Sequence, residues 1–462
     1  MEVSKKHKAE IKAALKAWNS KRDDGLLDHW LLGVQALEKL ADRTTFEARR
    51  LATNRVLLQG FDELKVRMLQ GEYILRERFP NQRTQFAVRT DLSMSNATFN
   101  RRQDDAIVLL TTLLLEQEQT QREQRRQLLM SRLPNWAHRQ WFGIDSIKRQ
   151  LANRLDSKQT PFQMVISGIG GIGKSTLAYA TAATVADDCS YKHIFWVYVP
   201  VPILVKRSST EVEELLISVL SEQITGRNST LLTKTQIQNW LKTHQSLVII
   251  DNIEDEHDVA NLLYLTEPWL NPSKVVITSR VHPENLPHVY LHRVDTLSRE
   301  DCYALIRSVA FENNQTALAE ASDYNLAPIY DRIGGNPLAT KMIVGMVASM
   351  PLSIVLCDMP VGGFAEMKEM YRFIYQRAWK TLSTDAQTLL LMMPMFVEHG
   401  ATMEQMQTVT EMKIAQLWTA IRELLVRSLL IRVSNSLEES RYTIHRLTDN
   451  FLQVDVLEWR TA

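Results

Sequence analysis

The chain has 462 residues, of which 45% are hydrophobic and 23% are charged, a composition that is typical of globular proteins and excludes a disordered chain. Its formal net charge of +1 conceals an asymmetry, because residues 1–135 carry 24 Lys and Arg against 18 Asp and Glu. A chain of this length needs several domains, and the basic excess makes the N-terminal part the candidate for binding an anionic partner.

The three cysteines give no sign of a disulfide framework or a zinc site. Cys189, Cys302 and Cys357 lie far apart and lack the spacing of metal ligands, which favours a reducing compartment. The N-terminus is charged, and no apolar run approaches the roughly 18 residues that span a bilayer. We therefore expect a cytoplasmic protein with no membrane partner.

Residues 1–130 are predicted to form an all-helical domain. Their apolar residues recur at spacings of three and four, which is the period of a helix with one buried face. Two such stripes are predicted to be core, Trp30, Leu31, Val34, Leu37 and Leu40 in the first, and Val56, Leu57, Phe61, Leu64, Val66 and Leu69 in the second.

Within this domain, residues 73–110 have the pattern of a helix-turn-helix. A short helix over 86–92 is followed by a tight turn, and Ser95 is placed to cap a second helix that starts at Asn96. Leu92, Phe99 and Ile107 are predicted to anchor the helix pair. A recognition helix needs this arrangement, because its N-terminal polar side chains must reach base edges.

The outer face of the second helix carries Asn96, Asn100, Arg101 and Arg102. Residues 73–110 resemble the helix-turn-helix of region four of sigma factors, in pattern rather than in invariant residues, and without the usual turn glycine. The resemblance implies contact with double-stranded DNA through these four side chains. The same geometry occurs in modules that dock a protein partner, so both kinds of partner stay open.

Beyond residue 107 the helix is predicted to continue into a stretch with no apolar face, residues 116–127. Such a segment is more often a solvated spacer than a coiled coil. Residues 131–141, which include Leu133-Pro134-Asn135, are then predicted to be a linker.

The most specific motif of the chain is the phosphate-binding loop at residues 168–176, which lies between an apolar run at 164–166 and an Ala-rich helix. Its glycines let successive N–H groups point at phosphate oxygens. Lys174 is expected to reach the β- and γ-phosphates of ATP, and Ser175 to offer its hydroxyl group to Mg²⁺. The predicted nucleotide ligands in this loop are Gly168, Gly170, Gly171, Gly173, Lys174, Ser175 and Thr176.

Four more apolar runs, at 194–199, 247–250, 274–280 and 289–294, are predicted to be strands of the same parallel sheet. Asp251 follows the second of these, where a carboxylate can hold Mg²⁺ at the edge of the sheet that faces the ligand. The next strand delivers Thr278 and Arg280 to the same crevice. Arg280 is a candidate sensor of the γ-phosphate, since a guanidinium group distinguishes ATP from ADP by one charged group.

The rest of the chain is predicted to be helical apart from one hairpin. A capped helix opens at Ser298, and another leads to Gly335-Asn336-Pro337-Leu338. From Tyr371 on, helices and a hairpin over 432–442 describe a winged helix. The fold class is therefore multidomain α and α/β: an all-α domain (1–130), a linker (131–141), a P-loop domain with a parallel sheet (142–296), a small helical domain (297–362) and a winged helix (363–462).

The order of these motifs resembles the NB-ARC region of STAND-class signal-transduction ATPases over about residues 140–455. The resemblance implies a switch in which ADP is enclosed by the P-loop, small helical and winged-helix domains, and in which exchange for ATP opens the molecule for self-association. It further implies that Pro337 packs near adenine and that His445, in Ile444-His445-Arg446-Leu447, touches the β-phosphate of ADP.

The chain departs from the pattern of the family at several positions. Asn252 stands where relatives often carry a second acid, so slow hydrolysis is expected unless Glu254 or Asp255 substitutes for it. Asp145 replaces an adenine-side arginine, and only the central His of the MHD motif is kept. No internal repeat follows the hairpin. The N-terminal domain is predicted to be the output of a transcription regulator, or of an adaptor in a bacterial conflict system whose sensor is on another chain.

Overall fold

The computed structural model describes residues 4–20, 33–35, 46–135, 140–157, 159, 161–199, 209–226, 231–253, 256–283, 286–357, 367–397, 400–434 and 440–456. The chain divides into two compact units, Met1–Met130 and Ser131–Ala462, here called the first and the second unit. Of the first predicted stripe, Val34 is buried, and the other four residues lie outside the described ranges. No helix in these ranges has the length and apolar character needed to cross a membrane.

The described part of the first unit is helical, as its apolar periodicity predicts. The helices are α1 (Lys5–Lys16), α2 (Phe46–Arg67), α3 (Leu69–Arg78), α4 (Gln85–Asp91) and α5 (Asn96–Met130). Val56, Leu57, Phe61 and Leu64 are buried between α1, α2 and α5. The prediction that Val66 and Leu69 belong to the core is wrong. Val66 is 88% exposed, and Leu69 is also exposed, where α2 ends and α3 begins.

The turn between α4 and α5 forms where the sequence places it. The hydroxyl group of Ser95 accepts a hydrogen bond from the backbone N–H of Thr98 over 3.2 Å and so caps α5. Phe99 packs with Ile74 and Val88 in a small apolar cluster, to which Leu92 adds a partly buried side chain. Ile107 does not belong to this cluster, because it lies two turns further along α5 and packs in the main core of the unit.

The predicted spacer at 116–127 is wrong in one respect, because α5 runs through it and buries part of it. Glu118 is 3% exposed, and Arg125 is buried as well. The two carboxylate oxygens of Glu118 accept hydrogen bonds from the backbone N–H groups of Val34 and Gln35 over 2.9 and 3.0 Å. The carboxylate also pairs with Arg122. This segment is therefore bound to the rest of the first unit by polar contacts, which an apolar pattern does not reveal.

The second unit contains the predicted parallel sheet, and all five strands are confirmed. They are β1 (Gln163–Ser167), β2 (His193–Tyr198), β3 (Ser246–Ile253), β4 (Lys274–Ser279) and β5 (Val289–Arg293). Their order is β2-β3-β4-β1-β5, and every pairing is parallel. The strand that precedes the phosphate loop and the strand that carries Asp251 are thus separated by β4. The helices among these strands are α6 (Asp145–Asp156), α7 (Lys174–Asp187), α8 (Ser209–Thr225), α9 (Lys234–Thr243) and α10 (Glu256–Thr266).

The described part of the chain after β5 is helical apart from one hairpin. The helices are α11 (Arg299–Glu312), α12 (Thr316–Ala319), α13 (Asp323–Ile333), α14 (Pro337–Val347), α15 (Leu352–Leu356), α16 (Met367–Lys380), α17 (Thr384–Met392), α18 (Met403–Thr410), α19 (Ile414–Val426) and α20 (Arg446–Phe451). Between α19 and α20, β6 (Ile431–Ser434) pairs antiparallel with β7 (Ser440–Thr443). One continuous apolar core joins these elements.

Candidate functional site

The loop between β1 and α7 has the backbone shape of a phosphate-binding loop. Gly173 has a φ of 104° and precedes the first residue of α7, Lys174, in a left-handed conformation that favours glycine. A Cβ atom at Gly173 would meet no other atom within 4 Å, so its conformation, not space, requires glycine. The amino group of Lys174 donates to the carbonyl oxygen of Ile169 over 2.9 Å, which holds the lysine across the loop. Backbone N–H groups at a helix start and an ammonium group make a strong anion site.

Ser175 and Asp251 meet beside this loop. The hydroxyl group of Ser175 donates to Oδ1 of Asp251 over 2.7 Å, and the hydroxyl group of Thr278 donates to the same oxygen. Asp251 is buried at the end of β3. Hydroxyl and carboxylate oxygens are the ligands that Mg²⁺ prefers when phosphate oxygens complete its shell. The oxygen atoms of Ser175 and Asp251 are therefore of the kind that fits Mg²⁺.

Asn252 occupies an irregularity in β3, where the pairing with β4 shifts between Ile250 and Ile253. Its φ of 84° is uncommon for any residue but glycine and is tolerated best by Asn and Asp. The side-chain amide donates to the carbonyl oxygen of Val199 over 2.8 Å, and the backbone N–H donates to the hydroxyl group of Thr278 over 2.9 Å. The amino group of this amide is thus bonded to the residue that directly follows β2. Glu254 and Asp255 lie outside the described residues.

Arg280 follows β4 directly and is half-buried, with its backbone N–H bonded to the carbonyl oxygen of Ile253. Two residues later, Nδ1 of His282 lies 2.6 Å from the hydroxyl oxygen of Ser167, the last residue of β1. This contact fastens the segment that carries Arg280 to the strand that carries the phosphate loop. Sequence reasoning missed it, because 115 positions separate the two residues and only the pairing of β1 with β4 brings them together.

The part of the chain after β5, here called the helical region, contacts the phosphate loop through α14 and α16. The backbone N–H of Leu338 donates to the carbonyl oxygen of Gly171 over 3.3 Å. The hydroxyl group of Tyr371 lies 2.8 Å from the carbonyl oxygen of Gly170 and 2.8 Å from Oδ1 of Asn336. Tyr371 was not among the predicted site residues, because a tyrosine at an apolar position of a helix has the pattern of ordinary core.

Pro337 and His445 are placed by different elements of this region. Pro337 is the first residue of α14, and Asn336 caps that helix by accepting from the N–H of Ala339 over 3.1 Å. His445 is partly buried immediately before α20. This helix packs on α16, since Phe451 stacks on Tyr375 with ring centroids 5.1 Å apart. His445 thus precedes a helix that contacts the helix bearing Tyr371.

The predicted DNA contacts lie in the first unit, on the N-terminal turns of α5. The amide nitrogen of Gln85 donates to the side-chain oxygens of Asn96 and Asn100, over 2.9 and 2.8 Å. The side chain of Arg101 is 86% exposed and lies 3.9 Å from the carboxylate of Asp105. Arg102 is exposed as well. These side chains form one polar surface, in which Gln85 orients both amides.

Two solved structures show a distant similarity to this chain. One is the STAND protein PH0952 of Pyrococcus horikoshii with a tetratricopeptide repeat sensor, which is 18% identical, with a TM-score of 0.45 over 71% of this chain and 44% of that chain. The other is the Aeropyrum pernix ORC1 protein in complex with DNA, which is 14% identical, with a TM-score of 0.31 over 73% of this chain and 98% of that chain.

Two plant proteins are similar in sequence. The disease resistance protein RGA2 of Solanum bulbocastanum is 25% identical over 211 residues, and RUN1 of Vitis rotundifolia is 28% identical over 212 residues. Each alignment covers 44% of this chain but only 21% of RGA2 and 15% of RUN1, so the chain spans about a fifth of the length of these relatives. Residues 144–316 match the model of the NB-ARC domain. Residues 144–316, which include the phosphate loop and all five strands of the parallel sheet, are therefore similar to an NB-ARC domain.

Proposed function

We propose that this protein is a signal-transduction switch that binds ADP and ATP and controls the first unit. The observation that carries the proposal is the contact of the phosphate loop with two later elements, through Leu338 in α14 and Tyr371 in α16. A nucleotide that reshapes the loop must displace or strengthen these contacts. The switch hypothesis needs such a link, because a ligand shifts an equilibrium only through different contacts in the two states.

In this proposal the loop residues bind the phosphates, with Lys174 on the β- and γ-phosphates. Ser175 and Asp251 hold Mg²⁺, whose chemistry is to neutralise phosphate charge, and Arg280 distinguishes ATP from ADP. Pro337 packs near adenine, and His445 reports the β-phosphate. The full set of nucleotide ligands is Gly168, Gly170, Gly171, Gly173, Lys174, Ser175, Thr176, Pro337 and His445.

Hydrolysis is proposed to be slow. Asn252 has no carboxylate that could take a proton from water, and its side chain is held against the carbonyl oxygen of Val199, an orientation that a carboxylate at this position would keep. Bound ATP would then persist for many seconds and keep the protein in its ATP-bound state. We propose that the protein self-associates in this state. The proposed compartment is the cytoplasm.

Bound nucleotide in the purified full chain tests the proposal. The protein is denatured, and the released nucleotide is separated by chromatography, for the wild type, Lys174→Ala and the matched control Lys242→Ala, which changes an exposed lysine of α9. We expect about one ADP or ATP per chain in the wild type and the control, and a loss of at least about tenfold in Lys174→Ala. Equal nucleotide content in all three proteins would rule out the phosphate loop as the binding site.

The proposed output is transcription control, in which α5 binds duplex DNA through Asn96, Asn100, Arg101 and Arg102. The exposed amides and guanidinium groups on its first turns favour this reading. Binding to a random duplex should weaken with salt, and Arg101→Ala should lower both the affinity and the salt slope relative to Arg132→Ala, which changes another exposed arginine.

An adaptor role is the second candidate, and Phe86 favours it. This side chain is 68% exposed on α4, with the guanidinium group of Arg89 5.4 Å from its ring centroid. An exposed aromatic ring is typical of a protein-docking surface. Absence of duplex binding at low salt, for the ATP and ADP states alike, would favour the adaptor over the DNA regulator.

A further inference from the structure

Tyr371 lies where three parts of the second unit meet. It comes from the second turn of α16 and is 6% exposed. Its hydroxyl oxygen lies 2.8 Å from both the carbonyl oxygen of Gly170, in the phosphate loop, and Oδ1 of Asn336, the cap of α14. One phenolic hydrogen atom thus serves two acceptors, one on the loop and one on the helix cap.

The orientation of the Asn336 side chain determines which of its atoms faces the phosphate loop. Its Oδ1 accepts from the N–H of Ala339, so its Nδ2 is the atom that faces the loop, 3.5 Å from the carbonyl oxygen of Gly170. That long contact is weak. Tyr371 therefore supplies the short hydrogen bond to this carbonyl group among the contacts that the helical region makes with it.

The loop is also packed tightly against the tyrosine. Gly171 has a φ of 71°, and a Cβ atom there would lie 2.2 Å from the hydroxyl oxygen of Tyr371 and 2.9 Å from the Cβ atom of Leu338. No side chain fits between the loop and these two helices. A change in the path of the loop at residues 170–171 must therefore move the hydroxyl group of Tyr371.

Burial keeps this hydroxyl group able to donate. It raises the pKa of Tyr371 far above its ordinary value, and the positive charge of Arg280 opposes that shift only in part. The phenol thus stays protonated at every physiological pH.

We propose that Tyr371 is a regulatory clasp, in which its hydroxyl group holds α16 on the phosphate loop through the carbonyl group of Gly170. Every atom of the clasp belongs to the chain, so the contact needs no nucleotide to form. The nucleotide then acts by reshaping the peptide at 170–171, and release of Tyr371 is the step that frees α16. The regulatory role of the clasp rests on the proposed switch function, whereas the contact between Tyr371 and Gly170 does not.

Hydrogen exchange of the full chain, read by mass spectrometry, tests the clasp. The variants are Tyr371→Phe and the matched control Tyr375→Phe, which removes a buried hydroxyl group one turn later that contacts Thr448 instead of the loop. In protein stripped of nucleotide, Tyr371→Phe should exchange roughly fivefold faster over residues 168–176 and 367–380 than the wild type. Tyr375→Phe should leave exchange over 168–176 unchanged.

Two results would overturn the proposal. One is equal exchange over residues 168–176 in the wild type and Tyr371→Phe, and the other is equal acceleration by both variants, which would indicate general loosening of α16. Should Tyr371→Phe fail to fold, Asn336→Asp tests the same junction, because it keeps the cap of α14 but turns a donor that faces Gly170 into an anionic acceptor. A wild type that binds neither ADP nor ATP refutes the switch function, while exchange in the stripped protein still decides the clasp.

Discussion

Ser175 and Asp251 lie 76 positions apart in the sequence and are joined by a hydrogen bond of 2.7 Å. The bond links the first turn of α7 to the end of β3, and both side chains present oxygen atoms beside the phosphate loop. A divalent cation that replaces the shared hydrogen bond would meet ligands that are already in position. The proposed metal site would thus need little rearrangement when Mg²⁺ arrives with the nucleotide.

Asp251→Ala should therefore weaken the binding of ATP only when Mg²⁺ is present. We expect at least about a tenfold loss of affinity in Mg²⁺, because the carboxylate would be a charged ligand of the metal ion, and no more than a small change in excess EDTA. Isothermal titration under both conditions measures the difference. An equal loss with and without Mg²⁺ would assign Asp251 a structural role instead.

Asn252→Asp should not create a faster ATPase. The new carboxylate would face the carbonyl oxygen of Val199, which now accepts a hydrogen bond from the amide, and we expect a loss of about 1–3 kcal/mol in the free energy of unfolding. ATP turnover should stay at the wild-type level. Asn252→Gly is the control, since it keeps the φ of 84° accessible and removes the same bond without a charge. A rise in turnover for Asn252→Asp would contradict the role assigned to this amide.

The buried Lys274 predicts a pH dependence of stability. Its amino group donates to the carbonyl oxygen of Arg154 over 2.7 Å at the start of β4, and burial lowers its pKa to about 8. The unfolded chain, with the ordinary pKa of 10.5, binds more protons than the folded chain between these values. The contribution of this lysine to stability must therefore increase from about pH 8 to pH 10.5.

Urea denaturation of the wild type and Lys274→Met at pH 7.5 and pH 10 measures this effect. The wild type should gain more stability, or lose less, than the variant as pH rises, because only the wild type carries the shifted group. Lys242→Met, at an exposed position of α9, should follow the wild type. Parallel behaviour of all three proteins would show that Lys274 titrates normally.

Glu118 should stabilise the first unit through its charge. Glu118→Gln keeps the shape of the side chain but weakens the bonds to the N–H groups of Val34 and Gln35 and the pairing with Arg122, and we expect a cost of about 1–3 kcal/mol. Glu116→Gln, at an exposed position of the same helix, is the matched control. Hydrogen exchange over residues 96–130 measures the loss, and equal protection in both variants would contradict it.

The sheet and most helices were predictable because each leaves a local mark in the sequence. Short apolar runs predicted all five parallel strands, and Ser95, Ser298 and the glycines before Lys174 marked the starts of helices. The positions of Lys174, Ser175 and Asp251 near strand ends were predictable as well, because the motifs fix their spacing from the apolar runs; their roles in binding stay predictions.

The polar contacts between distant elements could not be predicted in this way. Ser167 with His282, Glu118 with Val34, and Tyr371 with Gly170 each join residues more than 80 positions apart. The periodicity of apolar residues predicts only whether a side chain is buried. It does not predict which residue forms a hydrogen bond with a buried tyrosine or glutamate. These contacts depend on the packing of whole elements, which no window of sequence contains.

The position of β4 between β1 and β3 makes the register of that strand a determinant of charge at the nucleotide site. Thr278 and Arg280 point to the same face of the strand, since side chains alternate. A slip of β4 by two residues would bring the guanidinium group of Arg280 to Asp251, where the hydroxyl group of Thr278 now lies. The acidic ligand would then be neutralised by an internal ion pair. The pairing of Thr278 with Ile166 on one side of β4 thus decides whether Asp251, on the other side, can hold a metal ion.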